Sequence, residues 1–101
     1  MAWYNDTKIY LDDLREVPDG YIGAHSVNEA IALIEEVENK GGNIALLDLD
    51  HDLGDFAKDG GDAIKLLYFL IERETFYPVT IHSANPVGVQ NMQALIDRYW
   101  Y

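Results

Sequence analysis

The stretch NIALLDLD, residues 43–50, is an apolar segment that ends in acid. Its length and its leucines predict a strand that lies centrally in a sheet and is covered on both faces. Side chains alternate along a strand, so Asp48 and Asp50 should face the same way while Leu49 faces away. Because a buried carboxylate is costly unless it is paired or binds a metal, the end of this strand is a candidate functional site.

Three further segments have the composition of strands. KIYL (8–11) and YIGAH (21–25) precede the central segment, and the turn formers Pro18, Asp19 and Gly20 lie in the loop between them. PVTIHS (78–83) follows the central segment and predicts a fourth strand. The glycine- and aspartate-rich stretch 51–61, HDLGDFAKDGG, is predicted to be a loop.

Helical patterns lie between or after these strands. Ser26 is a candidate N-cap with Glu29 completing a capping box, and the helix that follows should end at a pair of glycines. The apolar residues from Asp62 to Glu74 wrap most of a second helix. Asn85 can cap a third helix, whose first turn suits Pro86.

Strands that alternate with helices are typical of parallel sheets. The sequence therefore predicts an α/β protein with a mainly parallel, four-stranded sheet, helices on both faces, and a single domain over residues 1–101. Ligands of such folds bind beyond the carboxyl ends of the strands, so the residues that follow each strand are the candidates for a site.

Polar residues follow three of the predicted strands. They are Asp12 and Asp13 after the first, Asp48, Asp50, His51 and Asp52 after the third, and His82, Ser83 and Asn85 after the fourth. Parallel strands would bring these groups to one edge, where clustered carboxylates must take up protons or bind a cation. Oxygen ligands in a chain without cysteine favour Mg²⁺, Mn²⁺ or Ca²⁺, and two nearby histidines leave Mn²⁺ or Zn²⁺ open.

The other polar residues suggest proton transfer and phosphate binding. His51 and His82 are candidates for proton transfer, because an unperturbed imidazole has a pKa of ~6.5. Ser83 can donate a hydrogen bond to a phosphate oxygen, Asn85 opens a helix whose free amides can bind an anion, and Arg15 suits bidentate phosphate binding.

A purely structural interpretation of the same residues is also open. In it Asp12 caps a turn, Asp48 or a loop aspartate pairs with Arg15, and Asn85 is a plain N-cap. Backbone carbonyls would then satisfy the histidines.

Composition narrows the classes of function. The 101 residues include 18 acidic and 7 basic ones, a net charge of −11, so the chain lacks the basic surface that binds duplex DNA. It has no cysteine, no apolar run near the ~20 residues that span a bilayer, and no signal-peptide pattern in its start, MAWYNDTK. We therefore expect a cytoplasmic protein without a membrane partner.

Four segments together resemble the cyclic-phosphate processing receiver-like domains. They are DDLR (12–15), the Pro18–Tyr21 segment, LDHDLG (49–54) and HSANPxG (82–88), and the likeness covers nearly the whole chain in order. Receiver domains of two-component signalling share this plan more distantly. The resemblance implies a three-layer, receiver-like (flavodoxin-like) fold with an acidic metal pocket, and a role in processing cyclic phosphates. The family's functional positions fall on Asp12, Asp13, Asp50, His51, Asp52, His82, Ser83 and Asn85.

The chain also departs from ordinary receivers. It lacks the fifth strand and the lysine that stabilises an acyl phosphate, and only about nine residues join its first two strands, too few for the first crossover helix. Conventional phosphotransfer is therefore not expected, although Asp48 offers a second register for the phosphorylated aspartate.

Three hypotheses about function follow. The first is metal-dependent hydrolysis of a cyclic phosphate on a nucleotide or RNA end. In it Asp12, Asp13 and Asp50 hold Mg²⁺ or Mn²⁺, His51, His82 and Asp52 carry the chemistry, and Arg15, Ser83 and Asn85 bind phosphate. The second is a binding module or sensor for the same ligand without turnover. The third is a degenerate receiver whose tail, RYWY (98–101), contacts a partner or a second copy.

Overall fold

Four parallel strands form the sheet in the computed structural model, which describes residues 6–100. They are β1 (Thr7–Leu11), β2 (Tyr21–Ala24), β3 (Ile44–Leu49) and β4 (Val79–Ile81), arranged in the order β2-β1-β3-β4. The strand predicted to be central, β3, pairs with β1 on one side and β4 on the other. The predicted receiver-like α/β class, with its four-stranded parallel sheet, is confirmed.

Three α-helices complete the fold, namely α1 (Val27–Asn39), α2 (Ile64–Glu72) and α3 (Pro86–Tyr99). The predicted caps of α1 and α3 are present: the Ser26 hydroxyl accepts the Glu29 amide at 3.1 Å, and Asn85 accepts the Gly88 amide at 3.0 Å. The carboxylate of Glu29 accepts from the amide of His25 rather than that of Ser26. The reciprocal half of the predicted capping box is therefore shifted by one residue.

The stretch predicted to be a loop contains a 3₁₀ helix, Gly54–Lys58. Asp59, directly after it, accepts hydrogen bonds from the Ser26 hydroxyl at 2.8 Å and from the Asn28 side chain at 3.0 Å. These bonds join the 3₁₀ helix to the start of α1. The sequence gives no sign of this element, because a single turn is too short for an apolar period.

The hydrophobic core lies on one face of the sheet. Alternate residues of the central strands, Ile9 and Leu11 in β1 and Leu47 and Leu49 in β3, are fully buried there. Each helix adds buried side chains to the same cluster, including Ala30, Ile34 and Val37 of α1, Leu66, Leu67 and Leu70 of α2, and Met92 of α3.

The three helices lie on that face alone, α1 against α2 and α2 against α3. The predicted placement of helices on both faces, and with it the three-layer arrangement, is therefore corrected to two layers within residues 6–100. The crossovers from β2 to β3 and from β3 to β4 run in the same direction across the sheet, so right-handed connections put their helices on one side. The crossover that runs the other way, from β1 to β2, is the helix-free loop 12–20.

The opposite face of the sheet carries the alternate residues of the same strands. Tyr10 is flanked by Gly23 of β2 and Asp48 of β3 in the strand register, and its ring meets that of Tyr21 edge-on at 5.8 Å. Lys8 extends over the ring of Tyr21. This face therefore presents polar and aromatic side chains where the core face presents aliphatic ones.

The end of α3 packs back on the molecule. The Trp100 indole donates a hydrogen bond to the Tyr77 carbonyl at 2.7 Å and meets the ring of Phe76 at 5.1 Å. Residues 1–5 and 101, including the last residue of the predicted contact surface RYWY, lie outside the described residues. Among the described helices, none combines the length and the apolar character that crossing a membrane requires.

Candidate functional site

The carboxyl ends of three parallel strands bring acidic residues to one edge of the sheet. Asp12, Asp50 and His82 each follow a strand directly. Backbone hydrogen bonds between the strands continue through these residues. The Asp50 amide donates to the Leu11 carbonyl and the His82 amide donates to the Leu49 carbonyl, both at 2.9 Å. The predicted convergence of strand ends is thus fixed by backbone hydrogen bonds.

Asp12 is the buried member of the group, with a side chain only 1% exposed. One of its oxygens, Oδ1, accepts the amides of Leu14 at 2.9 Å and Arg15 at 2.8 Å. The other, Oδ2, faces His82 Nε2 at 2.9 Å. Burial opposes ionisation of Asp12, but the two amides and His82 outweigh it and lower the pKa of this carboxyl.

His82 lies between two carboxylates. Its Nδ1 is 2.5 Å from Asp48 Oδ1, while its Nε2 faces Asp12. The ring of Tyr10 stacks on the imidazole with centroids 4.4 Å apart and planes 3° apart. The imidazole is therefore held at both nitrogens and on one face.

Asp50 completes a group that could hold a metal. Asp12, Asp50 and His82 each offer one ligand atom, and these atoms lie within 4.8 Å of one another. Burial, together with the nearby charge of Asp12, raises the pKa of Asp50 against the lowering effect of the Ser83 hydroxyl. Two carboxylates and an imidazole suit a divalent cation, and the imidazole favours Mn²⁺ or Zn²⁺ over Mg²⁺.

A cavity of about 330 Å³ opens beside this group. Six of the predicted site residues line it, namely Asp13, Arg15, Asp50, Asp52, Ser83 and Asn85. Asp12, His51 and His82 are not in its lining, although Asp12 and His82 contact one another behind it. The structure thus brings the nine predicted residues to one edge of the sheet, six of them in the cavity lining and three outside it.

Asp13 stands apart from the three-residue group. It is not among the ligand atoms that converge with Asp12 and Asp50, and its place there is taken by His82. Instead Asp13 lies against Gly54, where a Cβ atom would stand 2.7 Å from Asp13 Oδ2. Gly54 has φ +55°, a conformation that suits glycine.

A second cluster lies on the other side of the cavity. His51 Nδ1 is 2.7 Å from Asp52 Oδ1, and the side-chain amide of Asn85 donates to both Asp52 oxygens, at 3.1 and 3.2 Å. These contacts, with His51 first, lower the pKa of Asp52. Asp62 Oδ1 accepts the Leu53 amide and completes a second group whose ligand atoms lie within 4.8 Å of each other.

Arg15 and Ser83 line the cavity, where the Ser83 hydroxyl contacts Asp50 and the Arg15 side chain contacts Tyr10. The guanidinium of Arg15 is half exposed, and its Nε is 3.9 Å from Asp12 Oδ2. The Ser83 hydroxyl accepts the Asn85 amide at 3.2 Å and so shapes the turn before α3. Arg15 can present donors to an anionic group in the cavity, and the Ser83 hydroxyl can do so by turning its proton away from Asp50.

Two acidic residues near the site were absent from the predicted set. Asp48 contacts His82, not Arg15 as the structural interpretation of the sequence had it, and Asp62 joins His51 and Asp52. The alternation of Asp48 and Asp50 along β3 was the available signal for the first. For Asp62 the sequence offered no signal of a site beyond its position before a helix. The histidines meet carboxylates rather than the backbone carbonyls of that interpretation.

One comparison with known proteins finds a match. The family model described as cyclic-phosphate processing receiver domain matches residues 7–98. The chain belongs to this family. No curated protein and no solved structure gives a significant match.

Proposed function

We propose that the chain is a divalent-cation-dependent phosphoesterase that opens a cyclic phosphate on a nucleotide or at an RNA end. The observation that carries the proposal is the convergence of Asp12, Asp50 and His82 beside a cavity that also presents Arg15 and Ser83. Membership of a family named for cyclic-phosphate processing supports the substrate class.

The reaction adds water across one ester bond of the ring. Water attacks phosphorus, one P–O bond to the sugar breaks, and the released sugar oxygen takes up a proton. A bound Mg²⁺ or Mn²⁺ would polarise the phosphate and lower the pKa of a bound water. Asp12, Asp50 and His82 would hold the cation, and Asp13, which lines the cavity, would accept a hydrogen bond from a water ligand of that cation.

Residues of the chain would bind the phosphate group and transfer the proton. Arg15 and the Ser83 hydroxyl would donate hydrogen bonds to the phosphate oxygens and neutralise developing charge. The Asp52–His51 pair would transfer the proton, since the short contact between Asp52 and His51 Nδ1 fixes the imidazole. Asn85 would hold Asp52 in place while capping α3.

The test is turnover of 2′,3′-cyclic nucleotides with Mg²⁺ or Mn²⁺, in the natural chain and in Asp50→Asn. We expect Asp50→Asn to lower the rate by about 100-fold or more, because it removes a charged ligand. Asp97→Asn is the matched control, since Asp97 is an exposed residue of α3 that contacts Gln93. Equal rates for Asp50→Asn and the natural chain, or no turnover with any divalent cation, would refute the proposal.

One observation favours a second candidate, a binding module without turnover. Neither imidazole is presented freely to a ligand, because His51 is not in the cavity lining and both nitrogens of His82 face carboxylates. A binding module would need only the cation, Arg15 and Ser83. Calorimetry with a cyclic nucleotide separates the two, because tight binding with the ligand recovered intact supports the module.

The cyclic-phosphate ligand and the absence of a duplex DNA partner both stay predictions, as does the cytoplasmic location. Contact with a partner or a second copy through RYWY also stays a prediction. Its test is the oligomeric state of the chain with and without Trp100→Ala. A change in that state on mutation would support the contact.

A further inference from the structure

His82 reaches the candidate metal group through only one of its nitrogens. Nε2 faces Asp12, which belongs to that group together with Asp50. Nδ1 faces Asp48, which does not belong to it. The two carboxylates that flank the imidazole therefore have different surroundings.

Asp48 is placed for its contact by strand register. It lies in β3 opposite Thr80 of β4, and His82 follows Thr80 by two residues. Because side chains of a strand alternate, Thr80 and His82 project from the same face as Asp48. On the far side of Asp48 the register holds Tyr10, whose ring stacks on the imidazole. Three adjacent strands thus fix the Asp48–His82 contact.

Metal-binding histidines commonly donate their second ring N–H to a carboxylate, which fixes the tautomer and the orientation of the ring. The contact between His82 Nδ1 and Asp48 Oδ1, at 2.5 Å, has this form. A proton on Nδ1 leaves the lone pair of Nε2 facing Asp12 and Asp50. The same contact occupies the Asp48 carboxylate, which argues against Asp48 as a phosphorylated residue.

We propose that Asp48 is the positioning residue of the site: it accepts the Nδ1–H of His82 and so directs Nε2 toward the cation held by Asp12 and Asp50. This inference rests on the proposed function for the identity of the ligand. The contact itself, and the tautomer that it selects, do not depend on that function.

The first measurement is the tautomer of His82 without metal. Long-range ¹H–¹⁵N spectra, recorded at a pH at which the two ring ¹⁵N shifts report a neutral imidazole, show which nitrogen carries the proton. We expect Nδ1 to be protonated in the natural chain. In Asp48→Ala, Nε2 alone should carry the proton, donated to Asp12. Asp48→Asn should restore the Nδ1 proton, because its amide oxygen still accepts.

The second measurement is calorimetric affinity for Mn²⁺. We expect Asp48→Ala to weaken binding by about 10- to 100-fold, the usual effect of losing such a partner, and Asp48→Asn to recover most of it. Thr80→Ala is the matched control, since Thr80 is an exposed neighbour on the same face and its loss should change neither measurement. Asp48→Val, which also removes the acceptor and suits a strand, replaces Asp48→Ala if the alanine variant does not fold, with the same expectations.

An unchanged His82 tautomer in Asp48→Ala overturns the inference, and so does Mn²⁺ affinity within about twofold of the natural chain. A natural chain that binds no Mn²⁺ overturns the proposed function instead. In that case the tautomer of His82 in the Asp48 variants still decides whether Asp48 positions the imidazole.

Discussion

Gly88 is the residue at which α3 and His51 meet. A Cβ atom at this position would stand 2.5 Å from His51 Cγ. The Gly88 amide also donates to Asn85, whose side chain holds Asp52. The absence of a side chain here therefore lets the His51 imidazole lie against the helix while Asp52 contacts its Nδ1.

Gly88→Ala should destabilise the protein by about 1–3 kcal/mol, because the added methyl group displaces His51. The sign of the change in unfolding free energy is informative, because replacing glycine with alanine inside a helix ordinarily stabilises a protein by about 1 kcal/mol. Urea unfolding measures the change, with Gln90→Ala on the exposed side of α3 as control. Adding His51→Ala should remove most of the cost; a cost that persists in the double variant would contradict the steric explanation.

Asp50 should lower the stability of the metal-free protein. Burial raises the pKa of Asp50, so its ionised form is less favourable in the folded chain than in the unfolded one. A carboxyl with a raised folded pKa costs stability above that pKa, and the cost disappears as the pH falls through it toward the unfolded value of ~3.9.

Asp50→Asn should therefore stabilise the metal-free protein at neutral pH by about 0.5–2 kcal/mol, while abolishing the proposed activity. The gain should shrink as the pH falls toward the unfolded pKa. Urea unfolding at a series of pH values measures it, beside Asp97→Asn. A gain that does not depend on pH would show that the buried charge of Asp50 is not its source.

Among the elements, the start of α1 and the end of the 3₁₀ helix are joined by hydrogen bonds to Asp59, one of them from the buried hydroxyl of Ser26. Ser26 Oγ accepts the Glu29 amide as a cap and donates to Asp59 after the 3₁₀ helix. Asn28 donates to the same carboxylate from an exposed position.

Ser26→Ala should destabilise the protein by about 1–2 kcal/mol, because it removes the cap and the link to Asp59 together. Asn28→Ala should cost less than about 0.5 kcal/mol, as an exposed contact. Amide exchange along Gly54–Lys58 should accelerate in the serine variant only. Equal effects of the two substitutions would mean that the hydroxyl of Ser26 has no special role.

The elements also show what a sequence can predict. The strand NIALLDLD and the caps at Ser26 and Asn85 were predicted correctly, because local rules of spacing and hydrogen bonding determine them. The side of the sheet on which each helix packs was not predicted correctly, because it depends on the order of the strands in the sheet. The contact of Asp48 with His82 was missed for the same reason, because only the register of β3 and β4 brings them together.

At the scale of the whole molecule, the charge of −11 acts over the full width of the domain. The molecule measures 39 × 30 × 22 Å. At ~0.01 M salt the screening length is about 30 Å, so most acidic groups repel one another, while at ~0.15 M it is about 8 Å. Salt should therefore favour the folded state.

We expect Tm to rise when NaCl increases from ~0.01 to ~0.15 M, by about 4–8 °C for each kcal/mol of repulsion removed. MgCl₂ or MnCl₂ at equal ionic strength should raise Tm further through binding at the site. Scanning calorimetry of the natural chain and Asp50→Asn separates the two effects. The variant should keep the rise in Tm with NaCl and lose most of the further rise with MgCl₂ or MnCl₂. A Tm insensitive to NaCl would contradict the expected repulsion.

The parallel order of the strands also governs how the chain reaches its native state. The central strand β1 pairs with β3 only after β2 and α1 have intervened along the chain, and no two described strands form a tight hairpin. The pairings of β3 with β1 and with β4 must each close a long loop before hydrogen bonds form, whereas a helix forms within about a microsecond. Because the candidate site is built mainly from strand ends and the turns after them, we expect it to form late in folding, once the long-range strand pairings are made.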